Sequence, residues 1–269
     1  MKTLNNKVIV ITGAGSGIGR ALTLACSQAG ARLALNDYNA AALEETLTLL
    51  PPQQAQQPMT DIFDVGNKQS MFAFADRVAQ TMGGADVLIN NAGIGVGNLP
   101  FHETDLDLIE RTMQVNYFGM LYGSRAFIKQ LLQKDEAALA NISSIFGLTG
   151  IAYSAAYCSS KFAVYGLNQA LIHEYRHTHL TISSVHPGGV NTNITANALA
   201  TSPQSIAFQQ QFLKQDPNKA AHTILEGIKR KKNRILIGSE AYQLDWVTRL
   251  LPIWGGRLVN WMIERQTTK

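Results

Sequence analysis

The sequence predicts an α/β fold: a doubly wound parallel sheet of about seven strands with helices on both faces. Three observations predict it. Short apolar runs alternate with longer helical patterns along the 269-residue chain. The runs are apolar throughout rather than at every second position, as strands are when helices cover both faces of a parallel sheet. A glycine-rich turn joins the first run to the first helical pattern. Right-handed crossovers then wind the βαβ units into one sheet.

The elements follow in order. Val8–Ile11 is a β-branched strand, and the helix Ile18–Gln28 stops at Gly30. Arg32–Leu35 is the second strand. Asn39 caps a helix over Ala40–Leu50, which Pro51-Pro52 ends. Met59–Phe63 and Asp86–Asn90 read as strands with the helix Lys68–Met82 between them. Asp105–Gln133 reads as one long helix, Ala138–Ser143 as a strand, Ala155–His177 as a helix and Leu180–His186 as a strand. The helix Asp216–Arg230 and the strand Arg234–Ile237 complete the pattern. No composition break marks a linker, so residues 1–269 read as one domain, with 239–269 an amphipathic C-terminal extension.

Composition excludes several classes. Hydrophobic residues make up 46% and charged residues 16%, which supports a packed core rather than a disordered chain. Two cysteines, Cys26 and Cys158, build no disulfide scaffold and point to a reduced, cytoplasmic protein. The start carries no secretory pattern, and no window is apolar enough to span a bilayer. The net charge of +4 rests largely on the run Lys229–Arg234, read as a solvated helix end. A nucleic-acid binder spreads a basic face with stacking aromatics, so no nucleic-acid partner is expected.

The turn after the first strand reads Thr12-Gly13-Ala14-Gly15-Ser16-Gly17-Ile18-Gly19. Glycines let backbone approach a pyrophosphate, and the helix that follows offers free N–H groups. This placement favours a Rossmann-type nucleotide site over a merely structural turn, although Arg20 stands where the general motif has its last glycine. Asp37, at the end of the second strand, can accept both ribose hydroxyls and would repel a 2′-phosphate. It favours NAD over NADP.

Tyr157 and Lys161, at i and i+4, share a helix face. A phenol of pKa about 10 is too weak a base near neutrality, and a nearby ammonium together with an oxidised nicotinamide would lower it. Alone, this spacing usually marks a solvated face. With Thr12-Gly-x-x-x-Gly17-x-Gly19, Asp64, Asn90-Asn91-Ala92-Gly93, Asn116, Ser144 and Pro187-Gly188, the chain resembles the short-chain dehydrogenase/reductase family in its compact form over roughly residues 6–240. The resemblance implies roles by position. Ser144 polarises the substrate oxygen, Tyr157 is the acid/base, and Lys161 binds ribose and depresses the phenol's pKa. Asn116 holds a water in a proton relay. Gly13, Ser16, Gly17, Ile18, Gly19 and Asp37 form the phosphate and ribose side of the cofactor site. Asp64 and Val65 meet adenine, Asn91, Ala92 and Gly93 line the cleft, and Pro187, Gly188, Val190 and Thr192 embrace the nicotinamide. Family members often form homodimers or homotetramers, which is expected here.

His173-Glu174-Tyr175-Arg176-His177 matches a zinc-protease motif, but no third ligand follows at the required spacing and no metal is expected. Cys158 reads as a packed residue. Ile94, Gly95, Ile145, Phe146 and Tyr153 are the expected substrate wall. The uncharged stretch Asn191–Gln211 reads as a lid over a neutral, largely apolar alcohol, ketone or aldehyde. The extension, with three Trp and interspersed Arg, suits packing over the cleft mouth, a second subunit, or weak peripheral contact with a membrane. The competing reading is a non-catalytic NAD-binding regulator, which has no need of Ser144.

Overall fold

A computed structural model describes residues 1–51, 57–192, 194, 199 and 213–267, with backbone alone at 262–264, 266 and 267. Seven strands form one parallel sheet in the order β3-β2-β1-β4-β5-β6-β7. They are β1 Val8–Thr12, β2 Arg32–Asp37, β3 Met59–Ile62, β4 Val87–Asn90, β5 Ala137–Ile142, β6 Leu180–Pro187 and β7 Arg234–Ile237. The helices are α1 Gly17–Gln28, α2 Ala40–Thr48, α3 Lys68–Met82, α4 Leu106–Met113, α5 Gly119–Leu132, α6 Ala155–Glu174, α7 Pro217–Lys229, α8 Ser239–Leu250 and α9 Trp254–Thr267.

The two-residue period of a strand sends alternate side chains to opposite faces. Ile9 and Ile11 of β1 pack with Leu22 of α1 and Ile224 of α7. Val8 and Val10 pack on the other face with Phe74 of α3 and Phe127 of α5. Both faces are therefore covered, which explains the unbroken apolar runs. The exception is β3, an edge strand whose Ile62 is half exposed. The winding reverses between β1 and β4, and this switch point opens a crevice at the strands' carboxyl ends.

Two helices differ from expectation. The pattern Asp105–Gln133 is interrupted by a π-helical turn, Gln114–Phe118, between α4 and α5. One wider turn leaves the apolar periodicity nearly intact, so the sequence pattern does not reveal it. The Ala155–His177 helix stops at Glu174. His177 lies beyond it, outside the continuous helical turn that an H-E-x-x-H zinc site requires. The basic run is largely paired: Lys229 with Glu226, Lys231 with Glu136, and Arg234 with Asp245.

Candidate active site

The glycine turn is shaped by neighbours distant in sequence. Gly13 has φ +66°, and a Cβ there would stand 2.8 Å from Ala92 Cα. Gly19 faces inward, where a Cβ would lie only 1.9 Å from the Gly13 carbonyl oxygen. Gly17, at φ +53°, abuts Thr192. Asn91 Nδ2 donates to the carbonyls of Thr12 and Gly13 at 3.0 and 3.1 Å, and Thr12 Oγ1 accepts from Asn91 and Ala92 N–H. The ends of β1 and β4 are thus stitched together, and α1 begins above them. Ser16 makes no side-chain cap and no acid stands in the first turn, so the helix presents its N–H groups and positive dipole end to the cleft.

Asp37 is buried at the end of β2, where its oxygens accept from Gly15 N–H at 2.8 Å and Asn39 N–H at 2.9 Å. It holds the glycine turn against the start of α2 and still lines the cleft. Two cleft residues not singled out from the sequence stand nearby. The Arg20 guanidinium donates to both oxygens of Glu45 at 2.9 and 2.8 Å. Farther along, Asp64 pairs with Arg111 at 2.6 Å and accepts from Gly66 N–H, beside Val65.

Ser144, just past β5, opens a short 3-10 turn, and its Oγ accepts from Phe146 N–H at 3.1 Å. Tyr157 sits in the first turn of α6, with the Ser144 hydroxyl near enough to pull the phenol's pKa down. Lys161, one turn on, is buried. Its Nζ lies 5.6 Å from the Tyr157 ring centroid and donates to Ile142 O at 3.0 Å. The i, i+4 spacing does bring phenol and ammonium to one place. The expected depression of the phenol's pKa is not found, however. Burial pushes Tyr157 up to about 12, against the downward pull of the Ser144 hydroxyl, and burial lowers Lys161 to about 8. In the protein alone, desolvation of the phenolate dominates.

Asn116 lies in the π turn, fully buried behind Ile94. Its Oδ1 accepts from Ile94 N–H at 2.8 Å, and its Nδ2 donates to Ile94 O and Ser160 Oγ at 3.0 and 3.1 Å. Both amide protons are spent inside the protein, so the side chain fixes the Ile94 segment. Gly93 lies between them: a Cβ there would stand 3.2 Å from Asn116 Oδ1 and 3.4 Å from Lys161 Nζ.

These residues border one cleft of about 2030 Å³, roughly twice the upper end of the usual 300–1,000 Å³ for one ligand. Pro187, Gly188, Val190 and Thr192 line it, as do Ile94, Gly95, Ile145 and Phe146. Tyr153 does not belong to this wall. Its backbone is left-handed at φ +62°, which turns the side chain out to 60% exposure. Most of the expected lid, Asn191–Gln211, falls outside the described residues. Of its described members, Thr192, Ile194 and Leu199 line the cleft, and Leu199 exchanges backbone hydrogen bonds with Gly95 and Gly97 at 3.1 and 2.9 Å. One further contributor lacked a signal in the sequence. Glu240 accepts from Gly189 N–H at 3.2 Å and from Gln215, bracing the loop after β6. Leu244, Val247, Leu258 and Trp261 bring the extension to the mouth. Cys158 is buried, and burial raises its thiol pKa, as for a packing residue.

Residues 7–203 match the family model for short chain dehydrogenase. The chain belongs to the short-chain dehydrogenase/reductase family. It is an oxidoreductase of this family, with the family's nicotinamide-binding fold. SadH of Mycobacterium tuberculosis (strain ATCC 25618 / H37Rv), named as an oxidoreductase, is 36% identical over 260 residues, covering 93% of each chain. Dehydrogenase/reductase SDR family member 7B of Bos taurus is 32% identical over 255 residues, covering 92% of this short-chain dehydrogenase/reductase and 78% of the bovine chain. The crystal structure of a family member from Burkholderia phymatum in complex with NAD superposes with a TM-score of 0.84 at 26% identity, covering 93% of this chain and 95% of that one. Among the described residues of this family member, no helix is long and apolar enough to cross a membrane.

Proposed function

We propose that this enzyme interconverts a neutral, largely apolar alcohol and its ketone or aldehyde, using NAD and Tyr157 as the acid/base. The observation that carries the reading is the trio lining one cleft: Ser144 and Tyr157, with the buried Lys161 ammonium 5.6 Å from the Tyr157 ring. A dinucleotide fits the residues present. The uncapped α1 N-terminus and the Cβ-free backbone at Gly13 and Gly17 suit a pyrophosphate. Asp64 and Val65 line the same cleft and would meet the adenine. Asp37 supports NAD, because its carboxylate occupies the ribose end and Arg20, the cation there, is already neutralised by Glu45.

When bound, the nicotinamide supplies or takes the hydride. The protein's own residues handle the proton. Ser144 Oγ donates to the substrate oxygen and holds it at the phenol. Tyr157 Oη gives its proton to that oxygen in reduction and takes it in oxidation. Lys161 supplies positive charge beside the phenol and the ribose, while Asn116 fixes the Ile94 segment against both. Ile94, Ile145, Phe146 and Ile151 around Tyr157 favour an apolar substrate. Lys214 and Arg265 also line the cleft. This catalytic reading leaves a role for Ser144 that a pure NAD-binding regulator lacks.

Tyr157→Phe tests the reading. Turnover of a panel of neutral alcohols, followed by NADH absorbance, falls at least about a thousandfold, while NAD binding by calorimetry persists. Retained turnover refutes it, and turnover of charged substrates alone refutes the substrate class. The accompanying expectation of a homo-oligomer is read by sedimentation.

A further inference from the structure

Most of the exposed large apolar residues of the extension fall in two stripes. Tyr242, Trp246 and Leu250 stand at i, i+4 and i+8 on α8, and Trp254, Leu258 and Trp261 at i, i+4 and i+7 on α9. Such spacing normally marks a buried helix face, yet here it faces outward. The chain's three tryptophans all lie in these stripes, Trp246, Trp254 and Trp261 being 64%, 62% and 48% exposed. Two carry cations: Arg257 lies 4.9 Å over Trp254, and Arg265 lies 4.0 Å over Trp261. Of the two acids of α8, Asp245 is buried against Arg234 and Arg249, and Glu240 is engaged by Gly189 N–H and Gln215. Leu258 and Trp261 also line the cleft, so this apolar surface runs into its mouth.

We infer that the α8–α9 face seats the enzyme on an anionic lipid surface, with the cleft mouth at the bilayer boundary. Tryptophan and tyrosine rings settle at the headgroup level, and the neighbouring guanidiniums attract anionic lipid. A second protein copy on this face would stand over the mouth, whereas a fluid apolar layer leaves the mouth open to an apolar molecule. The surface deepens the proposed function by indicating a membrane-partitioned alcohol or ketone. It rests on that reading only for the substrate, because docking is measured without turnover.

All three tryptophans report on this face, so their emission reads it directly. The full-length protein is mixed with vesicles of phosphatidylcholine, or of equal parts phosphatidylcholine and phosphatidylglycerol. The expected result is a blue shift and flotation with the mixed vesicles, with at least about tenfold less protein on the neutral ones. Trp246→Glu combined with Trp254→Glu abolishes flotation. Turnover of a water-soluble alcohol is unchanged in that variant, since neither side chain belongs to the catalytic or cofactor site. Failure to float with either vesicle overturns the inference, and equal capture by both overturns the anionic assignment. An oligomer that the double variant dissociates, without flotation of the parent protein, assigns the face to a second copy instead.

Discussion

The His186 ring nitrogen Nδ1 lies 3.0 Å from the carbonyl oxygen of Ser144, while Nε2 lies 2.9 Å from Ser184 Oγ. The imidazole thus ties the end of β6 to Ser144. Asn168 donates to Ser184 at 3.1 Å, Asn141 to Asn168 at 2.7 Å, and Asn90 to Asn141 at 2.8 Å. A chain of buried polar groups therefore crosses the sheet beneath the cleft.

This tie makes stability depend on pH. Burial lowers the His186 pKa to about 4, below the ordinary 6.5. Between these values the unfolded chain binds the proton and the folded chain does not, so stability is full above 6.5 and is lost as pH falls. The loss from this group by pH 4 is about 3 kcal/mol. Urea midpoints measured from pH 7 to 4 fall accordingly, and His186→Asn, which keeps a donor near the Ser144 carbonyl, flattens the decline. An unchanged slope in the variant contradicts this.

The high pKa of Tyr157 gives the two directions of reaction different pH profiles. In the proposed reading, alcohol oxidation needs the phenolate as proton acceptor, and the phenol stands at about 12 in the protein alone. Positive charge on the oxidised cofactor lowers it, so oxidation climbs from pH 7 toward 10. Reduction needs the phenol and does not climb. Initial rates in both directions check this; oxidation that falls from pH 7 to 9 contradicts it.

Asp37 supports the glycine turn, and in the proposed reading it also sets cofactor preference. Asp37→Ala removes the anion and two charge-assisted acceptors, for Gly15 and Asn39 N–H. Efficiency with NAD falls about ten- to a hundredfold, and the NADP-to-NAD ratio rises. Measurement of kcat/KM with each cofactor decides; an unchanged ratio removes Asp37 from the ribose site.

Gly19→Ala places a methyl at the Gly13 carbonyl, where the available separation is 1.9 Å. The helix must shift from the strand, costing about 1–3 kcal/mol and weakening NAD binding. Thermal unfolding and calorimetry read both effects, and a variant equal to the parent in both refutes the close approach.

Much of the site was legible because its residues stand beside strand ends. Asn91 and Ser144 follow β4 and β5, and Asp37 ends β2, where an open parallel sheet exposes its functional edge. The i, i+4 spacing of Tyr157 and Lys161 survived because α6 is regular there. Tyr153 was misplaced because its left-handed backbone reverses the side chain one residue before the helix cap. Arg20 and Glu240 were missed because each takes its meaning from a partner far along the chain, Glu45 and Gly189.

By itself the sequence determined the alternation of strand and helix, the glycine turn and the polar residues at the sheet's carboxyl edge. These depend on local periodicity and on which backbone angles a residue tolerates. Tertiary structure alone decided the direction of the Tyr157 and Lys161 pKa shifts, the locked amide of Asn116, and the choice of the cleft mouth among the places open to the extension. Desolvation and hydrogen-bond geometry arise only when remote segments meet, and no spacing along the chain encodes how much water remains around a side chain once they have.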